Sequence, residues 1–163
     1  MDSIVRTSLK GQYHGTLAML RECVEVCPND LWTAGEHPRN FWRIAYHAAF
    51  YAHLYLMQSE QDFVPWEKHR DVAAELFLDE APHPVEPYAQ AEVMDYIDHV
   101  DALIDPVIDA LDWQTQETGF HWYTSLGKLE HEILSIRHLG IHVGQLEELL
   151  DQRGIDFNWI TRH

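Results

Sequence analysis

Histidine is the residue type this sequence carries in excess, 12 in 163. Imidazole titrates near neutral pH and is the commonest protein metal ligand, so the excess points to acid–base work or to a metal. The densest group is near the C-terminus, where His131, His138 and His142 fall in one helical segment. His138 and His142 are four apart, which puts two imidazoles on successive turns of one helix face, within reach of one ion. With this many histidines about 0.9 such pairs arise by chance, so the pair carries weight only with a third ligand. An apolar stretch farther upstream offers His47 and His53. They are six residues apart, about 240° round a helix, so a site that holds one leaves the other facing elsewhere. Spacing leaves both open as a third ligand; His47, set within Trp42-Arg43-Ile44-Ala45-Tyr46-His47-Ala48-Ala49-Phe50-Tyr51, is the more deeply embedded. His37 and His121 are candidates for a pocket rim, while His69, His83, His99 and the terminal His163 read as background imidazoles.

Other chemistries fail on spacing. A carboxylate-bridged di-iron bundle needs two Glu-x-x-His motifs on helices, and the one match, Glu80-Ala81-Pro82-His83, lies among prolines. His131-Glu132 continues Ile133-Leu134-Ser135, so the His-Glu-x-x-His pattern is absent. No glycine-rich phosphate loop and no Gly-x-Ser-x-Gly elbow occurs. Cys23 and Cys27, four apart on one helix, read as reduced thiols that behave as small hydrophobes.

Four helices must position these groups. Apolar spacing predicts the first over about Ser3 to Val26, closed by Pro28-Asn29-Asp30, and a second over about Arg39 to Gln58, apolar nearly all round and therefore buried. Ser59 to Tyr88, with Pro65, Pro82, Pro84 and Pro87, reads as a long crossover holding one short helix near Asp71 to Leu78. A third helix is expected over about Ala89 to Leu111. Its acidic face of Glu92, Asp95, Asp98, Asp101 and Asp105 is expected to lie in solvent. After an aromatic loop comes a fourth helix, about Ser125 to Arg153, stopped by Gly154. On it His131, Ser135, His138, His142 and Gln145 form one polar stripe, turned away from the charged side of Glu130, Arg137, Glu148 and Asp151. Polar groups facing a bundle interior need partners, and a metal is one way to supply them. The expectation is one all-α domain over residues 1–163, a four-helix bundle with one long crossover. A net charge of −16 argues against nucleic acid and anionic lipid as partners. The longest apolar run, Ile44 to Met57, is too short to span a bilayer, and Met1-Asp2-Ser3-Ile4 lacks a secretory pattern, so a soluble cytoplasmic protein is expected.

The segment Ile136-Arg137-His138-Leu139-Gly140-Ile141-His142-Val143-Gly144-Gln145-Leu146 resembles the last-helix pattern of the DinB family of DinB/YfiT-like metalloenzymes, and Ile44-Ala45-Tyr46-His47-Ala48-Ala49-Phe50 resembles that family's second-helix segment. The resemblance implies an up-down-down-up bundle with its crossover between the second and third helices. It also implies a metal site of His47, His138 and His142, and a homodimer. It further implies thiol-dependent chemistry of the S-transferase or isomerase kind, with a small thiol as cosubstrate. Three neutral imidazoles leave a coordination position open, as catalytic sites do, and a divalent ion such as Zn²⁺, Ni²⁺ or Mn²⁺ lowers the pKa of a bound water or thiol. A metal-dependent S-transferase or hydrolase is therefore expected, with a non-catalytic metal-binding or dimerisation module as the alternative. Tyr46, Tyr51, His131 and Gln145 are candidates for the pocket wall or for partners of the ligands; no general base is assigned. Metal affinity is expected to fall below histidine's reference pKa of about 6.5.

Overall fold

The three-to-four spacing of Leu9, Tyr13, Leu17, Leu20 and Val24 puts one apolar stripe on one helix. In the computed structural model, which describes residues 2–161, Asp2–Val26 forms α1 with those residues buried. Pro28 ends α1 and at once starts a one-turn helix, α2, Asn29–Trp32, which the sequence reading took only as a stop. Then come α3, Phe41–Leu56, a 3₁₀ turn at Glu60–Asp62, α4, Gln90–Ala110, and α5, Lys128–Asp151. The described residues are thus all-α, with no strand among them. α1 packs on α4 and α5, and α3 packs on α5 and α4, so the four long helices share one core. Each large apolar side chain buried there contributes about 1.5–3 kcal/mol before the entropy of ordering is counted. Among the described residues no helix is long and apolar enough to cross a membrane.

Boundaries follow local chemistry. Pro38 sits three residues before α3, not at its first turn. Asn40 is the N-cap, and its amide donates to the carbonyls of Thr33 (3.0 Å) and Gly35 (2.8 Å). At the start of α4, Glu92 accepts the Ala89 N–H at 2.9 Å. Gly154, at φ +68°, turns the chain out of α5, and Ile155 N–H donates back to Leu150 at 3.1 Å. A buried ion pair ties three helices. Lys128 donates to the Tyr55 and Met57 carbonyls, orphaned at the C-terminus of α3, and pairs with Glu132 at 3.0 Å. Glu132 accepts the Tyr13 hydroxyl of α1 at 2.7 Å.

One expectation holds and one is corrected. The acidic face of α4 lies largely in solvent, and its carboxylates also meet cations there. Asp98 pairs with Arg21 (2.9 Å), Asp101 with His14 (2.6 Å), Asp105 with Lys10 (3.6 Å), Asp95 with Lys68 (3.4 Å) and Glu92 with Arg70 (3.6 Å). The missed signal was the row Lys10, His14 and Arg21 on α1. The short helix near Asp71 to Leu78 is absent; isolated turns take its place. The carbonyls such a helix would use are occupied by side chains of α3: Val72 O accepts from Arg43, and Ala74 O accepts from His47. Val72 is also held at φ 55°, outside the helical region.

Gly119 docks the aromatic loop on the end of α3. Its φ is +81°, its carbonyl accepts the Glu60 N–H at 3.1 Å, and a Cβ there would lie 2.4 Å from Gln58 O. Gly119→Ala is expected to destabilise the fold by about 2–3 kcal/mol through strain and backbone overlap. Denaturant unfolding measures this, and a loss under about 0.5 kcal/mol would contradict it.

Candidate metal centre

α3 and α5 cross so that one histidine of α3 meets two of α5. His47 Nε2 lies 3.3 Å from His138 Nε2, which lies 3.2 Å from His142 Nε2. The ligand-capable atoms of the three all lie within 4.8 Å of one another, close enough to hold a metal ion. A tetrahedral ion with Zn–N bonds of about 2.0–2.1 Å sets nitrogen–nitrogen edges of about 3.3–3.4 Å, so the spacing fits.

The outer nitrogens decide which ring atoms offer lone pairs. His47 Nδ1 meets the Ala74 carbonyl at 2.5 Å, and a carbonyl only accepts, so Nδ1 carries the proton and Nε2 is left with its lone pair. His142 Nδ1 donates to Gln145 Oε1 at 2.9 Å with the same result. Such outer partners orient metal-binding imidazoles and raise their basicity. His138 differs: its Nδ1 is buried with no partner among the described residues.

Burial keeps the trio neutral. It pushes His47 down to about 3, helped by the neighbouring His142, and His138 down to about 4, again with His142 as the second cause. His142 is lowered by burial, against the pull of Gln145. The expectation that ion binding weakens just below pH 6.5 is therefore displaced toward lower pH, because these rings already resist protonation.

The walls are partly those expected. Tyr51 lies against His47 (ring centroids 4.5 Å apart) and His138 (5.5 Å), and its hydroxyl donates to Glu75 at 3.5 Å. Burial raises the Glu75 carboxyl, with Glu80 adding to it. Tyr46 is not at this site. One residue from His47, it points round the helix, stacks on Tyr88 (4.4 Å) and donates to His69 at 2.7 Å. His131 does not touch the trio either. It is wholly buried in a cage of Tyr55, Phe120 and Tyr123, with neither ring nitrogen partnered among the described residues, and Tyr55 stands between it and His138. Ser135 is buried farther up the same stripe. His53 faces away, as spacing required, with Nδ1 3.1 Å from the Tyr96 hydroxyl. His37 is structural rather than a pocket rim: it accepts from Arg43 at 3.3 Å and donates to Ala81 O at 2.8 Å. His121 pairs with Glu60 (2.8 Å) beside a surface cleft. Cys23 and Cys27 are free and buried, each thiol pushed up to about 12 by burial, so neither is a ready nucleophile. His163 lies outside the described residues.

Sequence reasoning missed Tyr55, Glu75, Arg39 and the Ala74 carbonyl. Tyr55 was legible as Tyr51 plus four on α3; Arg39 sets a positive charge near His47 and His142 and lines a groove with Gln145. Comparison with known proteins returns no match: no family model, no curated protein and no solved structure aligns with the chain.

Proposed function

We propose that the chain is a divalent-metal-binding protein of the DinB type, with His47, His138 and His142 as ligands and a coordination position left for substrate. The reading extends to an up-down-down-up bundle, a homodimer, and a metal-dependent enzyme of thiol S-transferase or hydrolase type using a small thiol. The observation that carries it is the meeting of three Nε2 atoms, two with lone pairs fixed by Ala74 O and Gln145, with no carboxylate or thiolate joining the group among the described residues. A bound divalent ion there supplies a Lewis acid. The chain's own residues do the rest. Ala74 and Gln145 hold the rings, Tyr51 and Tyr55 exclude water from one side, and Tyr51 and Glu75 offer hydroxyl and carboxyl groups beside the centre. The burial of His47 and His142 also suits an ion that only knits α3 to α5, the non-catalytic reading. Incubating the metal-loaded protein with paired small thiols and electrophiles, and with hydrolysable esters and amides, separates the two. Turnover that is lost in His138→Ala supports the enzyme; retained metal with no turnover of either kind supports the module.

The tether of His142 carries its own expectation. Gln145→Leu should weaken metal binding about 10–100-fold while leaving helical content unchanged. Competition with a chromogenic chelator measures this, and an unchanged affinity would remove Gln145 from the site.

A further inference from the structure

On the side of α3 opposite the three histidines, a cleft of about 580 Å³ opens between the end of α3, the link and α4, within the usual size of a small-molecule site. Met57, Pro65, Leu103 and Val107 make its walls apolar, and Trp66 lies along it, stacked on Tyr96 with centroids 4.7 Å apart. His53 also lines it, 3% exposed as a residue. Its one protein hydrogen bond among the described residues is to the Tyr96 hydroxyl. Burial raises the Tyr96 phenol and lowers His53 to about 4, with His99 as the second cause, so both stay neutral near pH 7. The Tyr96 proton has no other acceptor among the described residues, so the hydroxyl donates to Nδ1. Nε2 of His53 therefore carries a proton, and that donor has no protein partner. Nε2 opens on the cleft, so a ligand oxygen can accept from it in place of water. Asp62 and Glu67 also line the cleft, and with a chain charge of −16 they oppose an anion.

We propose that this cleft is a second ligand site, separate from the three-histidine centre, for a small flat uncharged molecule bearing one hydrogen-bond acceptor, of the aryl amide or aryl ketone class. The ring lies along Trp66 between Leu103 and Val107, and the carbonyl oxygen accepts from His53 Nε2.

Three probes that share a ring test this by NMR on the metal-loaded protein: benzamide, benzoate and toluene. The reporter is the Trp66 indole N–H signal, assigned with Trp66→Phe. Benzamide is expected to shift that signal and to bind at least about tenfold more tightly than benzoate, which the carboxylates repel, or toluene, which lacks an acceptor. In His53→Phe, which keeps the ring volume, benzamide should fall to the affinity of toluene while metal content stays at the wild-type level. No Trp66 shift with benzamide at 10 mM, or equal binding of all three probes, overturns the proposal. If His53→Phe fails to fold, the ranking of the three probes on the wild-type protein decides the matter by itself.

Discussion

Loaded with Zn²⁺, Ni²⁺ or Mn²⁺ and then desalted, the protein is expected to keep about one ion per chain. His47→Ala, His138→Ala and His142→Ala should each weaken binding by more than the roughly 10–100-fold that loss of an outer partner costs. His53→Ala should leave metal content untouched, because it faces Tyr96 on the far side of α3. At a free ion concentration about 1,000 times Kd, binding stabilises the fold by about 4 kcal/mol. For a chain of this length that is roughly 8–16 °C of melting temperature, lost on adding chelator. The pH dependence sharpens the test. His47 is held down to about 3 and His138 to about 4, and burial lowers His142 as well, so protons compete with the ion less between pH 7.5 and 5.5 than they would at ordinary imidazoles. Most of the chelator-induced loss should persist at pH 5.5. A loss that collapses by pH 5.5 would mean ligands with ordinary histidine pKa values and would displace the buried trio as the site.

Without metal, the protein should unfold steeply in mild acid. His47 is held near 3, and His53, His131 and His138 near 4, in each case chiefly by burial. In the unfolded chain each returns to about 6.5. A folded pKa below the unfolded one means that the unfolded chain binds more protons below 6.5. Stability is therefore complete above that value and falls as pH drops toward 4. Two groups act the other way. Burial raises Glu132 to about 7 against the pull of Lys128 and Tyr13, so it takes a proton in the folded state where the unfolded carboxyl has none. His14, although burial acts downward, is raised by hydrogen bonds to Asp101 and Asp105; below about 6.5 it is protonated in both states and drops out of the balance. A net excess of about three protons on the unfolded chain gives a slope of about 4 kcal/mol per pH unit. Between pH 6.5 and 4 that removes up to about 10 kcal/mol, so a domain in the lower half of the ordinary range of about 5–15 kcal/mol loses its fold over roughly pH 5.5 to 4. Denaturant unfolding followed by circular dichroism at several pH values in the presence of chelator reads the slope. A stability that does not fall between pH 6.5 and 4 without metal would show that these imidazoles are not held neutral by the fold.

What was legible came from periodicity. The long helices α1, α3, α4 and α5 announce themselves by apolar spacing, and their ends fall within a few residues of expectation. His138 and His142 were visible as a pair because a single helix fixes their relation; spacing left His47 and His53 both open, and the resemblance of its segment is what singled out His47. The illegible parts depend on contacts between segments far apart in sequence. Nothing local says that Ala74 would offer its carbonyl to His47, or that Val72 would offer its own to Arg43; yet those contacts replace the expected helix near Asp71 to Leu78. The stripe on α5 looked continuous, but Tyr55, inserted from α3, divides it: His138 and His142 go to the centre and His131 to an aromatic cage. The row Lys10, His14 and Arg21 is legible on α1, but that it faces the acids of α4 depends on which helices pack together.

The Ala74 carbonyl has a consequence in time as well as in space. The link supplies no candidate ligand, but it holds the proton that fixes His47, and Arg43 holds it one contact earlier. The turn around it is closed by only two amides, Ala73 N–H to Arg70 O and Glu75 N–H to Val72 O. If that turn opens, His47 loses its tether; if an ion grips His47, the turn is held closed. Local opening of the link and binding of the ion are therefore coupled, with equal strength in both directions. The amide protons of Ala73 and Glu75 should exchange with solvent more slowly as free metal rises, up to a ceiling of about 10–100-fold, the worth of one outer partner, while amides in the middle of α4 are not slowed through this local opening. The ion would then be held less tightly whenever a segment that never touches it breathes.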